Sequence, residues 1–232
     1  MSVLYMMRHG QASFGQENYD RLSGLGLRQA ALAGEHLARL GLSFDAAYCG
    51  TMYRQQDTAR EVLARLASPP RLAELPGFNE YDSGPIIQAL LPVMQKEDPA
   101  VAEAWPRMYQ ERKAFQTIYE GAMRRWVSGR YDTGPAETWR AFLDRSRQAL
   151  EQVRGDNGRG NTVLVFTSGG PISAALRLAL GLSDETALRL TWVIKNASLT
   201  SFFYNDRELT LSSFNATAHL DQRREPELIT YR

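Results

Sequence analysis

Thr162-Val163-Leu164-Val165-Phe166-Thr167-Ser168-Gly169-Gly170-Pro171 decides the fold. Residues 162–166 form an unbroken apolar run, the pattern of a strand buried on both faces rather than one. The run ends in a small polar turn. Pro171 then opens a helix through Leu180, at a position where proline is tolerated. A fully buried strand that feeds a helix is one half of a crossover unit, and it predicts a parallel sheet covered on both sides.

The amino terminus repeats the design. Val3 to Met7 reads as a short buried strand that runs into the polar loop Arg8-His9-Gly10. A helix follows from Leu25, with Leu27, Ala30, Ala31, Gly34, Leu37 and Ala38 on one face and a stop at Gly41. A second strand covers Ala46 to Cys49. The next helix presents Thr58, Ala59, Val62, Leu63 and Leu66, and Pro69-Pro70 breaks it. A third strand is expected near Arg71 to Leu75. From Pro85 to about Gly134 the strand signal vanishes. Helix formers dominate there, with Trp105, Tyr109, Phe115, Tyr119 and Trp126, and the segment reads as an inserted helical cap over about 85–134 whose aromatics mostly form its own core. Alternation resumes with a helical stripe from Trp139 to Val153, the strand at 162–166, and two closing strands, Ser198 to Tyr204 and Leu209 to Phe214. The expected architecture is a single layered helix–sheet–helix α/β domain with a mostly parallel sheet and that cap. Ligands of such folds sit at the carboxyl ends of strands. Both Arg8-His9-Gly10 and Thr167-Ser168-Gly169-Gly170 fall at such ends.

Composition narrows the function. The chain has 232 residues, 44% of them apolar and 23% charged, enough for a core without metal or disulfide staples. A net charge of +1 and scattered arginines argue against nucleic acid as a partner. No segment approaches membrane-spanning length, and no secretory pattern opens the chain, so the expected location is cytoplasmic. Cys49 is the single cysteine, which fits a reducing compartment; it closes an apolar run and reads as a core residue. No cluster of acidic or histidine residues suggests a metal or other cofactor.

Three elements carry chemistry. A neutral imidazole attacks phosphorus and carries the phosphoryl group. The Arg8 guanidinium beside His9 disfavours an imidazolium and offers a planar fork for phosphate oxygens. Arg54 lies in the first turn of its helix, where the helix dipole repels a cation; a bound anion there resolves the conflict. In Phe78-Asn79-Glu80-Tyr81-Asp82-Ser83-Gly84, Glu80 is the candidate proton donor and general base, with Asp82 as the substitute.

In this order the chain resembles the histidine phosphatase superfamily, also called phosphoglycerate mutase-like. The resemblance rests on Arg8-His9-Gly10-Gln11, Arg54-Gln55-Gln56-Asp57-Thr58-Ala59, the acidic segment 78–84, the last parallel strand with its Gly-Gly turn, and Asn215-Ala216-Thr217-Ala218-His219-Leu220. It implies a phosphohistidine at His9, phosphate held by Arg8 and Arg54 with Gln11, Ser168 and Gly169 beside them, proton transfer by Glu80, no metal, and a sheet with one antiparallel edge strand. The expected partner is a small phosphorylated substrate, and the aromatic cap offers a surface for a homodimer.

The chain departs from the pattern at Ser168, where the family carries a second histidine. A serine hydroxyl still donates a hydrogen bond but brings no charge. Losing one such donor at a transition state costs on the order of 100- to 1000-fold in rate. His36 reads as structural or exposed, and His219 as a capping or packing residue. Gly15 stands where mutases of this type carry asparagine, and Gln11 where many relatives carry glutamate; both favour a hydrolase over a mutase. The expected function is a metal-independent phosphomonoesterase. The alternative is a phosphate-ligand binder or regulatory relative with little turnover. A serine hydrolase built on Ser168 is less favoured, because Phe166 occupies the place of the elbow's first glycine.

Overall fold

A computed structural model of the protein describes residues 1–13 and 20–231; Gly15 lies outside them. The sheet strands are β1 (Ser2–Arg8), β2 (Ala46–Cys49), β3 (Leu72–Glu74), β4 (Thr162–Thr167), β5 (Leu199–Tyr204) and β6 (Leu209–Ala216), in the order β3-β2-β4-β1-β5-β6. Strands β3, β2, β4 and β1 are mutually parallel, while β5 pairs antiparallel with both β1 and β6. The one strand of reversed direction is therefore β5, which lies inside the sheet; β6 takes the edge. The expected antiparallel edge strand is corrected accordingly, because the short β5–β6 hairpin adds one more strand beyond the reversal.

Side chains of the central strands alternate between two cores. Met7, Ala47, Cys49, Leu164 and Phe166 face helices α1 (Gly24–Arg39) and α2 (Tyr53–Leu63). Leu4, Met6, Tyr48, Val163 and Val165 face the other layer, with α6 (Trp139–Asp156) and α7 (Gly169–Leu180). This two-sided burial explains why residues 163–166 are apolar at every position. Cys49 is fully buried, and burial pushes its thiol up to about 12.

Between β3 and α6 the chain forms α3 (Ser83–Glu97), α4 (Pro99–Ala104) and α5 (Arg112–Ser128). Their apolar faces make a core of their own around Trp126, Ile118, Leu90 and Met94, closed by Trp139 and Phe142 of α6. Trp105, Phe115 and Tyr119 pack against it, whereas Tyr109 is 87% exposed and belongs to no core. A further helix, α8 (Asp184–Thr191), has a Ser183 N-cap that the sequence reading passed over.

The α1 face differs from the expected one. Leu27 and Ala38 are exposed, and the buried face runs through Gly26, Gln29, Ala30, Leu32, Ala33, Gly34 and Leu37. Gln29 breaks the hydropathy pattern because its amide is fully used: Oε1 accepts from the Gln11 N–H at 2.8 Å, and Nε2 donates to Leu228 O at 2.9 Å and Thr230 Oγ1 at 2.8 Å. Helix α2 ends at Leu63, before Leu66 and the proline pair, and α7 begins two residues ahead of Pro171. No helix among the described residues is long and apolar enough to cross a membrane.

His219 lies in the short helix α9 (Ala218–Asp221), 2% exposed, with its ring centroid 5.6 Å from that of His36. This is a packing role. Burial, then the neighbouring His36, lowers its pKa to about 4. The unfolded chain takes up this proton near the ordinary histidine value of about 6.5, and the folded chain only near 4. Stability from His219 is thus complete above pH 6.5 and lost as pH falls toward 4, by about 3 kcal/mol at most. Urea denaturation at pH 7 and pH 4.5 should show a loss of stability that His219→Gln reduces; an equal loss in both proteins contradicts the assignment.

Candidate functional site

The site is built where β1 and β4 end side by side. Their register pairs Arg8 with Thr167, and the His9 N–H continues the ladder to Thr167 O at 2.8 Å. His9 and Ser168 therefore emerge together at the carboxyl edge of the sheet. The His9 carbonyl is held from the other side by Asn196 Nδ2 at 3.1 Å and the Ala197 N–H at 3.2 Å. The loop beyond His9 presses against α1. A Cβ on Gly10 would sit 2.4 Å from Gly26 O, and one on Gly26 would sit 2.1 Å from Gln11 O. Neither position accepts a side chain, so the glycine pair fixes how close the loop approaches the helix.

The imidazole of His9 is 6% exposed. Its Nδ1 lies 2.7 Å from Gly10 O, and a carbonyl only accepts, so the proton sits on Nδ1. Nε2 then carries a lone pair, which accepts from Arg54 Nε at 3.2 Å. Burial first, then the charges of Arg54 and Arg8, hold His9 well below the ordinary histidine range; the Gly10 bond opposes them. The sign is plain. Like charges roughly 4 Å apart repel by about 4 kcal/mol in a protein-like dielectric, so an imidazolium has no place here.

Arg54, 7% exposed, occupies the first turn of α2 as expected. Its Nη1 donates to Asp20 Oδ1 at 2.5 Å, and Asp20 Oδ2 accepts from the Tyr53 N–H at 2.8 Å. One carboxylate thus orients the guanidinium and stabilises the helix N-terminus that the arginine strains. The α2 backbone is tied to the loop through Thr58, whose Oγ1 donates to Arg54 O and accepts from the Gly10 N–H. Arg8 Nη1 donates to Ile194 O in a short bond.

Glu80 approaches from the loop before α3. Its Oε2 accepts from the Gly170 N–H at 3.0 Å and its Oε1 from the Tyr81 N–H at 3.2 Å. A Cβ at position 170 would fall 2.0 Å from Oε1, so Gly170 makes the seat. Burial raises the carboxyl pKa, against the bonds from Gly170 and Tyr81 and the charges of Arg54 and Arg8. Asp82 instead caps α3 by accepting from the Gly84 N–H at 3.0 Å.

Ser168 is fully buried at the start of α7, next to Gly169. Its Oγ accepts from Gln55 Nε2 at 2.8 Å, and the same nitrogen donates to Phe78 O at 3.0 Å. An amide N–H cannot take up a proton, so this partner supplies no base to a serine nucleophile. The Gln11 side chain accepts from Ser23 Oγ at 2.9 Å, which joins it to the N-cap of α1. The sequence assigns no site role to Asp20, Gln55, Thr58 or Asn196. Of these, Gln55 and Thr58 fall inside the quoted 54–59 motif; Asp20 and Asn196 carried no signal of spacing. Among the described residues, no group of three or more His, Cys, Asp or Glu side chains is placed to hold a metal ion.

At the carboxyl ends of the parallel strands a buried histidine thus lies beside two arginines, whose charges also act on a buried acid. The chain belongs to the histidine phosphatase superfamily (branch 1), whose family model matches residues 4–217. A 2,3-bisphosphoglycerate-dependent phosphoglycerate mutase from Bartonella bacilliformis is 28% identical over 190 residues, 79% of this chain and 84% of that protein. Phosphoglycerate mutase from Bacillus anthracis superposes with a TM-score of 0.67 at 20% identity, covering 97% of each chain. Phosphoserine phosphatase from Entamoeba histolytica, solved with phosphoserine, superposes with a TM-score of 0.66 at 18% identity, covering 95% of this chain and 100% of its own. At these identities the structural matches show the shared fold.

The geometry of the imidazole makes a direct prediction. In ¹⁵N-resolved NMR at pH 6, His9 should show the neutral Nδ1–H form, while an ordinary exposed histidine is mostly protonated. An imidazolium signal from His9 at that pH contradicts the arrangement.

Proposed function

We propose that the protein is a metal-independent phosphomonoesterase that works through a phosphohistidine on His9. The observation that carries this reading is the buried neutral imidazole, with Nδ1–H tied to Gly10 O and Nε2 turned to Arg54. A phosphate entering between Arg8 and Arg54 competes for the Arg54 N–H and frees the Nε2 lone pair. Nε2 then attacks phosphorus, and the bond from phosphorus to the leaving oxygen breaks. Glu80, whose burial makes it hold its proton to a higher pH than an ordinary carboxyl, gives that proton to the leaving oxygen. The ring gains positive charge, which the Gly10 carbonyl stabilises through Nδ1–H. In the second half Glu80, now a carboxylate, takes a proton from water. That water attacks phosphorus, the N–P bond breaks, and His9 returns to its neutral form with release of phosphate.

Ser168 stands at the phosphoryl position with one lone pair taken by Gln55, so its hydroxyl hydrogen serves the phosphoryl oxygens. Gly169 and the α7 N-terminus add backbone donors. Gln11 supports the loop through Ser23. The helices from Ser83 to Ser128 act as the cap that chooses the leaving group. The substrate is a small phosphate monoester. A second reading, a phosphate binder with little turnover, is favoured by one feature: Ser168 supplies no charge to the transition state.

Turnover of 4-nitrophenyl phosphate in the presence of EDTA separates the two. The hydrolase reading predicts turnover that survives EDTA and disappears in His9→Ala. Binding of phosphate without turnover supports the second reading, and Ser168→His should then raise the rate. For the active enzyme, kcat/KM with an alkyl phosphate should fall on the alkaline side as Glu80 loses its proton, at a pH above the ordinary carboxylate range. Glu80→Gln should remove that limb and lower the rate by about 100- to 10,000-fold. An unchanged profile in this variant contradicts the role of Glu80.

A further inference from the structure

Glu80 sits on a loop with little regular structure of its own, the short turn Pro76–Phe78 and the four residues that follow before α3. Such a loop positions a proton-transfer group only if something outside it fixes its backbone. The five carbonyls from Pro76 to Glu80 are all engaged. Pro76 O accepts from the Asn79 N–H at 2.9 Å. Phe78 O accepts from Gln55 Nε2 at 3.0 Å and Thr167 Oγ1 at 2.7 Å. The other three carbonyls converge on one side chain. Arg145 Nη1 donates to Gly77 O at 3.1 Å and Asn79 O at 2.7 Å, and its Nη2 donates to Glu80 O at 3.4 Å.

Arg145 is itself oriented. Glu137 takes its Nε at 2.6 Å and its Nη2 at 2.9 Å, a two-point pairing that fixes the plane of the guanidinium. The Phe142 ring lies beneath it, 4.8 Å from the guanidinium carbon. The loop is thus held between α2 and β4 on one side and α6 on the other. Asn79 adds a tie to Thr51 at the entry of α2, with bonds of 2.7 and 2.8 Å.

We infer that the Arg145–Glu137 pair is a positioning device for the proton-transfer carboxyl: it fixes the 77–80 backbone so that Glu80 reaches the leaving oxygen. This rests on the phosphatase reading above. A lysine cannot replace the guanidinium, because a point charge does not span three carbonyls and a carboxylate in one plane.

The test compares wild type with Arg145→Met and, as a milder change that keeps one acceptor, Glu137→Gln. Each is assayed against 4-nitrophenyl phosphate, whose leaving group needs little protonation, and against a simple alkyl phosphate, whose leaving group needs it fully. The pre-steady-state burst reports transfer to the enzyme, and thermal melting confirms folding. The inference expects kcat/KM for the alkyl phosphate to fall by about 10- to 100-fold, with the 4-nitrophenolate burst rate changed by less than about threefold. If Arg145→Met does not fold, Glu137→Gln carries the test, with the same contrast in smaller degree. An equal fall for both substrates in a folded variant, or no fall in either, overturns the inference while leaving the phosphatase reading intact. A wild type with no turnover of either ester overturns that reading, and the inference with it.

Discussion

The bond from His9 Nδ1–H to Gly10 O, at 2.7 Å, sets the terms for everything around it. It consumes the proton of a neutral imidazole on the inner nitrogen and leaves a lone pair on the outer one. Burial of the ring, and then two buried guanidiniums, make a second proton on it unfavourable, so burial, charge and hydrogen bonding enforce the same neutral form. The surrounding fold is organised to keep that ring still. The β1–β4 register places its backbone, Asn196 and Ala197 hold its carbonyl, and the Gly10–Gly26 contact locks the loop that supplies the accepting oxygen.

The same logic explains how cations are tolerated in the interior. Arg54 is costly at a helix N-terminus, and Asp20 offsets that cost by pairing with both the guanidinium and the helix backbone. Arg145 is half-buried between α6 and the Glu80 loop, where Glu137 neutralises it and three carbonyls use its remaining hydrogens. Each of these two guanidiniums thus has a carboxylate partner that also fixes its geometry. The carboxyl of Glu80 is treated in the opposite way. It accepts two backbone bonds, yet burial outweighs them and raises its pKa. A carboxyl with a raised pKa and an imidazole with a lowered one are the two shifts that the proposed reaction uses.

The sheet and its flanking helices were legible because two-sided burial leaves continuous apolar runs, as at residues 163–166, and because Gly41 and Pro171 lie within two residues of helix ends. Arg54 invites a functional explanation by the cost of a cation in the first turn of its helix; Arg8, His9 and Glu80 do so by their side-chain chemistry in loops that follow strands. What escaped was of another kind. Gln29 is buried in a helix face by virtue of partners more than 190 residues away, which no hydropathy pattern encodes. Asp20, Asn196 and Arg145 act through several bonds to backbone and side chains that are mostly far away in sequence, and nothing in their spacing distinguishes them from surface residues. The position of β5 inside the sheet likewise depends on pairing geometry, since its own sequence fits an edge or an interior strand.

The account turns on His9 becoming a covalent carrier of phosphate. Rapid quench into alkali after mixing with excess 4-nitrophenyl phosphate in EDTA, followed by peptide mass spectrometry under non-acidic conditions, tests it most directly. The expected result is a phosphoryl group on His9, acid-labile and formed fast enough to precede steady-state turnover. Turnover with the phosphoryl group on another residue, or with no covalent intermediate when Glu80→Gln should cause one to accumulate, would contradict it.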